Sequence, residues 1–194
     1  MQGGRPPQSM RTTRQTAVAW LACALAIEVG VGASPAAAQN LEVAVKATYL
    51  YKFAPFVEWP GGAFETELSP LSICVQGEDP FGPVLDRAVA GQRVGPHPVV
   101  VRRMPRVDRG SGCHILYAGG SRAQSAADAL RAVRGAGVLT VTDSGHETGA
   151  HGIIQFHIKD GRVRFDIDDA AAAEDRLTIS SKLLSLALSV RTRR

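Results

Sequence analysis

Hydrophobic residues recur at helical spacing over residues 41–58, LEVAVKATYLYKFAPFVE, where two neighbouring apolar stripes make one wide face. Asn40 suits the N-cap position of this helix, and Glu42 in the first turn suits the helix dipole. Pro55 lacks a backbone N–H, so we expect a kink near Tyr51. The pattern therefore predicts one long amphipathic helix.

Short apolar runs alternate with helical patterns through the middle of the chain. The runs at their centres are almost continuously apolar, which is typical of strands buried on both faces of a sheet. The predicted elements are strands at 71–76, 97–104, 113–119 and 137–143, and helices at 83–89 and 122–134, the second one capped by Ser121. This alternation indicates an α/β fold: a layered mixed or parallel sheet with helices on both faces.

The C-terminal third begins with a β-hairpin, since two strand patterns flank Asp160-Gly161, a dipeptide typical of two-residue turns. We place this hairpin at one edge of the sheet. A short helix and then a longer helix are predicted to follow, with Thr178 or Ser180 as the cap of the longer one.

Residues 1–38 have the three parts of a secretory signal: a basic segment without acids, a largely apolar run, and a small-residue site at Ala36–Ala38. Cleavage before Gln39 would leave residues 39–194 as a single exported domain. The alternative is an uncleaved membrane anchor, which Glu28 disfavours because it interrupts the apolar run.

Charge adds little to this picture once the signal is set aside. Residues 1–38 hold three arginines and one glutamate, so the net charge of +4 falls to about +2 without them. No basic stripe with interleaved aromatic residues is present in the sequence. We therefore expect no nucleic-acid partner.

Two cysteines, Cys74 and Cys113, remain after the signal, each in or beside a predicted buried strand. Export to an oxidising compartment favours a disulfide between them. The alternative is two separate buried thiols.

The histidines offer weak candidates for a metal site. His146, Glu147 and His151 resemble the H-E-x-x-H motif, but the two histidines are five positions apart and Gly149 stands between them. A loop over 143–151 would still bring the three side chains around one ion. The alternative is a solvated turn between two strands.

Other chemical motifs lack their partners. No G-x-S-x-G elbow occurs in the sequence, and His114 lies inside an apolar strand, where a packed and hydrogen-bonded histidine is expected. Asp166 and Asp168 share a strand face that suits a cation, but Asp168 or Asp169 also suits the cap of the next helix. We predict no catalytic residues and no cofactor.

Six segments occur in an order and spacing that point to a known family: VKATYLYKFAPFVEWP, ICVQGEDPFG, CHILYAG, VLTVTD, GIIQFHIKDGRVRFDID and LTISSKLLSLA. On these motifs the chain resembles the YfiR-like family of small exported proteins over residues 43–190. The resemblance implies a periplasmic α/β protein that dimerises and represses a membrane-bound diguanylate cyclase by binding its periplasmic sensor region. Cyclic di-GMP and biofilm formation are thereby held down.

The resemblance also bears on the cysteines. Cys74 and Cys113 match the family's structural disulfide positions. Some members carry a second cysteine pair near the loop before the hairpin, where this chain has TDSGHETGAHG and no cysteine. Redox sensing through a second bridge is therefore not expected.

The segment YLYKFAPFVEWP concentrates five aromatic rings in twelve residues. We expect Tyr49, Phe53, Phe56 and Trp59 to contact a second molecule, either a dimer mate or the cyclase, because large apolar patches mark contact sites. The alternative is that every ring belongs to the core. A second functional hypothesis is a periplasmic small-ligand or metal binder that uses the 143–151 loop.

Overall fold

The computed structural model describes residues 35–145 and 149–193. The helices are α1 (Pro35–Lys52), α2 (Pro83–Val89), α3 (Ala126–Val133), α4 (Asp169–Glu174) and α5 (Ser181–Leu184). The strands are β1 (Val57–Glu58), β2 (Leu71–Gly77), β3 (Arg93–Val94), β4 (His97–Met104), β5 (Ile115–Gly120), β6 (Leu139–Asp143), β7 (Ile154–Lys159), β8 (Arg162–Asp168), β9 (Thr178–Ile179) and β10 (Val190–Arg191). A 3₁₀ turn over Ala54–Phe56 joins α1 to β1.

Eight strands form one mixed sheet in the order β10-β8-β7-β6-β5-β2-β4-β3. Strands β4, β2, β5, β6 and β7 run parallel, and β8 pairs antiparallel with β7. Short β3 and β10 lie at the two edges, while β1 and β9 form a separate antiparallel pair. The predicted layered α/β fold is confirmed, although the hairpin lies one strand in from the edge because β10 pairs with β8.

The two faces of the sheet bury different helices, because side chains alternate along each strand. From β2, Ile73 and Val75 belong to the cluster that includes α1 and α2, whereas Cys74 belongs to the cluster that includes α3. The hairpin adds Phe156 and Phe165 to the first cluster. Helices therefore cover both faces, as the continuous apolar strands predicted.

Helix α1 differs from its prediction at both ends. It begins at Pro35, so Asn40 lies inside the helix and is not its N-cap. The Pro-Ala-Ala-Ala-Gln stretch that opens it favours helix, since proline suits the first turn and alanine has the best propensity. The helix ends at Lys52, because Pro55 cannot donate a hydrogen bond to the carbonyl of Tyr51. A stop and a 3₁₀ turn replace the expected kink.

Helix α3 begins four residues later than predicted, and its N-cap is Ser125 rather than Ser121. The Ser125 Oγ accepts the Asp128 N–H at 3.1 Å. The Gln124 side chain explains the late start, because it exchanges hydrogen bonds of 2.8 and 2.9 Å with the backbone of Val107. Those bonds hold the preceding residues in an irregular bend.

The C-terminal helix α5 is four residues long, much shorter than predicted. Ser180 caps it by accepting the Leu183 N–H at 3.4 Å, whereas Thr178 lies in β9. The chain then returns to the sheet, where the Leu188 N–H donates to the Phe165 carbonyl at 2.8 Å. Strand pairing of β10 therefore ends a segment whose local pattern is helical.

Two other predictions are confirmed directly. Asp160 and Gly161 both have positive φ, 52° and 66°, as a tight two-residue hairpin turn requires. Cys74 in β2 and Cys113 just before β5 form a disulfide with Cα atoms 5.7 Å apart. The alternative of two separate thiols is therefore excluded.

Candidate partner-binding groove

The aromatic residues near the end of α1 divide between core and partly exposed positions. Phe53 is only 2% exposed, and its ring lies 5.1 Å from that of Phe165. Tyr49 is partly buried, with its ring 5.7 Å from Phe53 and 6.2 Å from Phe156. The expectation that Phe53 meets a partner is wrong for this fold, because its ring is enclosed between α1 and the sheet.

Phe56 and Trp59 are partly exposed. The Trp59 indole N–H donates to the His114 carbonyl at 3.3 Å, and its ring meets Phe64 edge-on at 6.2 Å. Phe56 packs at the margin of the larger core cluster. These contacts attach the segment after α1 to the sheet. A partner-binding role for Phe56 and Trp59, like that for Tyr49, stays a prediction.

Two histidines enclose the ring of Phe64. Its centroid lies 3.8 Å from His97 and 4.2 Å from His114, with both pairs nearly parallel. His114 Nδ1 accepts the Ser72 N–H at 3.1 Å, so Nε2 carries the proton and donates to the Ala63 carbonyl at 3.0 Å. Burial lowers the pKa of His114, the bond to Ala63 opposes this, and His97 lowers it further. The expected packed, hydrogen-bonded His114 is confirmed.

Lys46 attaches α1 to the carboxyl end of β6. Its ammonium lies 2.5 Å from Glu42, one turn earlier, and forms an ion pair with Asp143. Lys46 is 5% exposed and Asp143 is 6% exposed, so this pair is buried. The Asp143 carboxylate also accepts the Gly145 N–H at 3.1 Å. This ion pair was not predicted from the sequence. The only local sign of it is Lys46 itself, a single lysine within the apolar run VAVKAT.

The side of α1 near its N-terminus and the β7–β8 hairpin enclose an apolar groove of about 660 Å³, here called the α1–hairpin groove. Helix α1 contributes Leu41, Val45 and Tyr49, spaced four residues apart on one stripe, and the hairpin contributes Ile158 and Val163. Leu41 is 66% exposed and Ile158 is 48% exposed. Large apolar side chains exposed together mark a contact surface.

Arg162 and Arg164 of β8 also line this groove, but Val163 between them faces α1, so their side chains lie on the opposite face of the strand. Arg162 and Arg164 are both exposed, and neither guanidinium forms an ion pair with another residue that the structure describes. Glu42 also lines the groove, but its carboxylate is bound by Lys46. The groove therefore has an apolar floor, which is an arrangement suited to association with another molecule.

A second cavity, about 470 Å³, lies between α3, α4 and the hairpin strands and is lined mainly by polar residues. Within it, Asp166 lies 2.8 Å from His157 Nε2. Asp168 caps α4 by accepting the Ala171 N–H at 2.9 Å and forms an ion pair with Arg191. The capping alternative for Asp168 is confirmed. Because each aspartate has its own partner, the arrangement does not favour a cation shared between them.

The proposed metal set is only partly within the described residues. His151 is exposed, and its Nδ1 lies 2.6 Å from Gln155 Oε1. His146 and Glu147 lie outside the described residues. Over 35–145 and 149–193, no three histidine, cysteine, aspartate or glutamate side chains are grouped as metal ligands would be. The metal hypothesis stays a prediction.

None of the described helices is both long enough and apolar enough to cross a membrane. The predicted signal falls almost entirely on residues 1–34, outside the described residues, so its cleavage before Gln39 stays a prediction. A search of curated proteins finds no match. The model of the YfiR/HmsC-like family matches residues 43–188, and this family suggests a periplasmic regulator of cyclic di-GMP signalling. Since that match covers well over half of the sequence, the chain belongs to the YfiR/HmsC-like family.

Proposed function

We propose that this protein is a periplasmic regulatory binding protein that represses an inner-membrane diguanylate cyclase. It binds the periplasmic sensor region of that enzyme and keeps cyclic di-GMP and biofilm formation low. Membership of the YfiR/HmsC-like family is the observation that carries the proposal. The α1–hairpin groove supports it, because an exposed apolar surface suits a protein partner.

The mechanism is sequestration and release, with no covalent step. Burying a large aliphatic side chain such as Leu41 or Ile158 contributes about 1.5–3 kcal/mol each. These anchors supply part of the free energy of a reversible complex, whose formation also costs about 4–15 kcal/mol in lost freedom of motion. The partner therefore leaves when a signal weakens only a few contacts. We also propose that the protein forms a homodimer, which light scattering of the mature chain tests directly.

Deletion of the gene tests the regulatory role in cells. We expect the cyclic di-GMP concentration and the biofilm mass to rise. Both should fall back to their wild-type levels when the wild-type gene is restored. Deletion of the cyclase gene as well should abolish the rise, because the repressor then has no target. Unchanged cyclic di-GMP in the single deletion would refute the proposed function.

A second candidate is a small-ligand or metal binder that uses the 143–151 loop. One observation favours it: exposed His151 lines the polar cavity of about 470 Å³ together with Asp166 and Gln155. Calorimetric titration of the mature protein with Zn²⁺ and Cu²⁺ tests this candidate. Binding heat that is lost in His146→Ala/His151→Ala supports it, and the absence of heat in the wild type excludes it for these metals.

A further inference from the structure

We propose that the outer edge of β8, beside the α1–hairpin groove, accepts an extended segment of another protein as an added β-strand. This segment carries large apolar residues on the side that faces α1 and aspartate or glutamate on the opposite side. The inference rests on the proposed function, since it names the surface that would hold the sensor region of the cyclase.

Hydrogen bonds to the chain after α5 show which way the backbone of β8 faces. The Phe165 carbonyl accepts the Leu188 N–H at 2.8 Å, and the Ile167 N–H donates to the Ser189 carbonyl at 3.0 Å. In an antiparallel pair, the N–H and C=O of one residue point to the same side of the strand, and those of the next residue point to the other side. Val163 lies two residues before Phe165, so its N–H and C=O also face away from β7.

The pairing that covers the outer side of β8 stops before Val163. The register with β10 begins where Val190 lies opposite Ile167, and the hydrogen bond nearest the hairpin turn reaches Phe165. On this outer side, none of the described residues binds the Val163 N–H or C=O. Unpaired backbone groups at the edge of a sheet are a template for a further strand. Residues 162–164 are therefore an open edge.

The α1–hairpin groove receives the apolar side of such a strand. A segment that lies beside β8 directs every second side chain toward the α1 face. That face carries Val163 of β8 and the groove residues Leu41 and Ile158, which are 66% and 48% exposed. Large apolar side chains of the added strand would cover these residues, so strand pairing and apolar burial would act together.

The opposite face of the hairpin is basic near its turn. Strand alternation puts Arg162 and Arg164 on that face, and Lys159 of β7 lies directly opposite Arg162. All three side chains are exposed, and none forms an ion pair with another described residue. They outnumber Asp160 of the turn, while Asp166, further along this face, lies 2.8 Å from a histidine of β7. Opposite charges on adjacent strands stabilise their pairing, so this face favours acidic side chains on the added strand.

The same arginines disfavour a second copy of this chain at the edge. In a two-fold antiparallel pairing centred on Val163, Arg162 of one copy would lie directly opposite Arg164 of the other. A pairing centred on either arginine would place that arginine opposite itself. Like charges directly opposite each other destabilise a strand pair. The occupant is therefore a different protein.

Site-specific photo-crosslinking in the native cells tests the occupant. A photoreactive amino acid replaces Leu41 in the full-length gene, and the crosslinked segment is sequenced by mass spectrometry. Leu68 is the matched control position, because it is 70% exposed and does not line the groove. At position 41, and not at position 68, we expect a segment of another protein in which apolar residues alternate with aspartate or glutamate. Apolar residues spaced three and four apart would indicate a bound helix instead.

Amide hydrogen exchange of the mature protein tests the edge itself, with a synthetic copy of the crosslinked segment as the probe. Without the peptide, the Val163 N–H should exchange at least about tenfold faster than the Arg164 N–H, which faces β7 by the same alternation. Saturating peptide should slow exchange at Val163 by about tenfold or more. Exchange at Val163 that the peptide does not change would contradict strand addition.

Variants separate the backbone contribution from the charge contribution. Val163→Pro removes the outward N–H but no hydrogen bond to β7, and proline is tolerated at such edge positions. It should weaken peptide binding by about tenfold, whereas Val163→Ala, which keeps the N–H, should bind more tightly than Val163→Pro. Arg162→Glu/Arg164→Glu should also weaken binding by about tenfold, and Arg162→Lys/Arg164→Lys should retain most of it. Circular dichroism checks folding, and the exchange measurement on the wild type decides if Val163→Pro does not fold.

The outcomes distinguish the edge assignment from the proposed function, because gene deletion tests that function independently. An alternating segment from the cyclase sensor region that protects Val163 supports both. The same chemistry in a segment of an unrelated protein, with unchanged cyclic di-GMP on deletion, supports the edge assignment and refutes the proposed function. A crosslink to a second copy, helical spacing, no product at position 41, or binding unchanged by charge reversal would overturn the edge assignment, even where deletion raises cyclic di-GMP.

Discussion

The Lys46→Met variant tests whether the buried ion pair stabilises the packing of α1 on the sheet. Methionine keeps the apolar stem of the side chain but removes the ammonium, so the buried Asp143 carboxylate, which is 6% exposed, loses its ion pair with Lys46. Removing one member of a buried ion pair costs about 3–5 kcal/mol of unfolding free energy. Typical domains have about 5–15 kcal/mol in total, so we expect a large loss of stability.

Two further variants separate the charge effect from packing. Lys46→Met/Asp143→Asn removes both charges, and the asparagine oxygen can still accept the Gly145 N–H. We expect this double variant to be more stable than Lys46→Met alone by about 2 kcal/mol, because the buried carboxylate that loses the Lys46 ammonium is also removed. Glu42→Gln is the matched control, since that i,i+4 pair is partly exposed and contributes about 0.2–0.5 kcal/mol.

Urea unfolding with the disulfide intact measures these differences. Trp59 reports the transition, because the other tryptophan, Trp20, lies in the predicted signal. For a slope of about 2 kcal/mol per M, Lys46→Met should lower the urea midpoint by about 2 M. A midpoint within about 0.5 M of the wild type, or a double variant no more stable than Lys46→Met, would refute the reasoning.

Three other perturbations have expected outcomes in the same assay. Cys74→Ala/Cys113→Ala removes a crosslink between positions 39 apart. The unfolding free energy should fall by about 4 kcal/mol, because the unfolded chain gains the entropy of the opened loop, and a fall under about 1 kcal/mol would contradict this. Burial lowers the pKa of His114, so the unfolded chain takes up the proton first as the pH falls below about 6.5. The unfolding free energy should therefore drop from about pH 7.5 to about pH 5.5, and an equal drop in His114→Asn would show that this histidine is not the cause. Gly152→Ala would place a Cβ 2.8 Å from a backbone oxygen of β6 and should cost about 1–3 kcal/mol, whereas Gly61→Ala, with no atom within 4 Å, should change stability by less than about 0.5 kcal/mol.

Local patterns determined much of the architecture. The alternation of apolar strands with helices is a local signal, and it predicted the parallel core of the sheet with helices on both faces. The Asp160-Gly161 turn was equally readable, because few residue pairs adopt positive φ at two consecutive positions. The Cys74–Cys113 bridge followed from export and from the placement of each cysteine in or beside a predicted buried strand.

Element ends were less predictable, since they depend on partners far away in the chain. The start of α3 is set by Gln124, whose side chain bonds to the backbone of Val107. The end of α5 is set by pairing with β8, which competes with a helical pattern in the sequence. Hydrogen bonds to distant backbone groups override propensity differences of less than about 1 kcal/mol per residue.

The sequence by itself determined the fold class and the family resemblance, because periodicity and turn chemistry are local properties, and it favoured the disulfide that the structure then showed. Only the tertiary structure decided which surface is free to bind. Phe53 shares a helical face with other rings, yet the sheet encloses it, whereas Leu41 stays exposed beside the hairpin. Lys46 and Asp143 lie 97 positions apart, so their contact is invisible to any local pattern. Folding alone places the apolar stripe of α1 beside Ile158 and Val163 of the hairpin and thereby makes the groove.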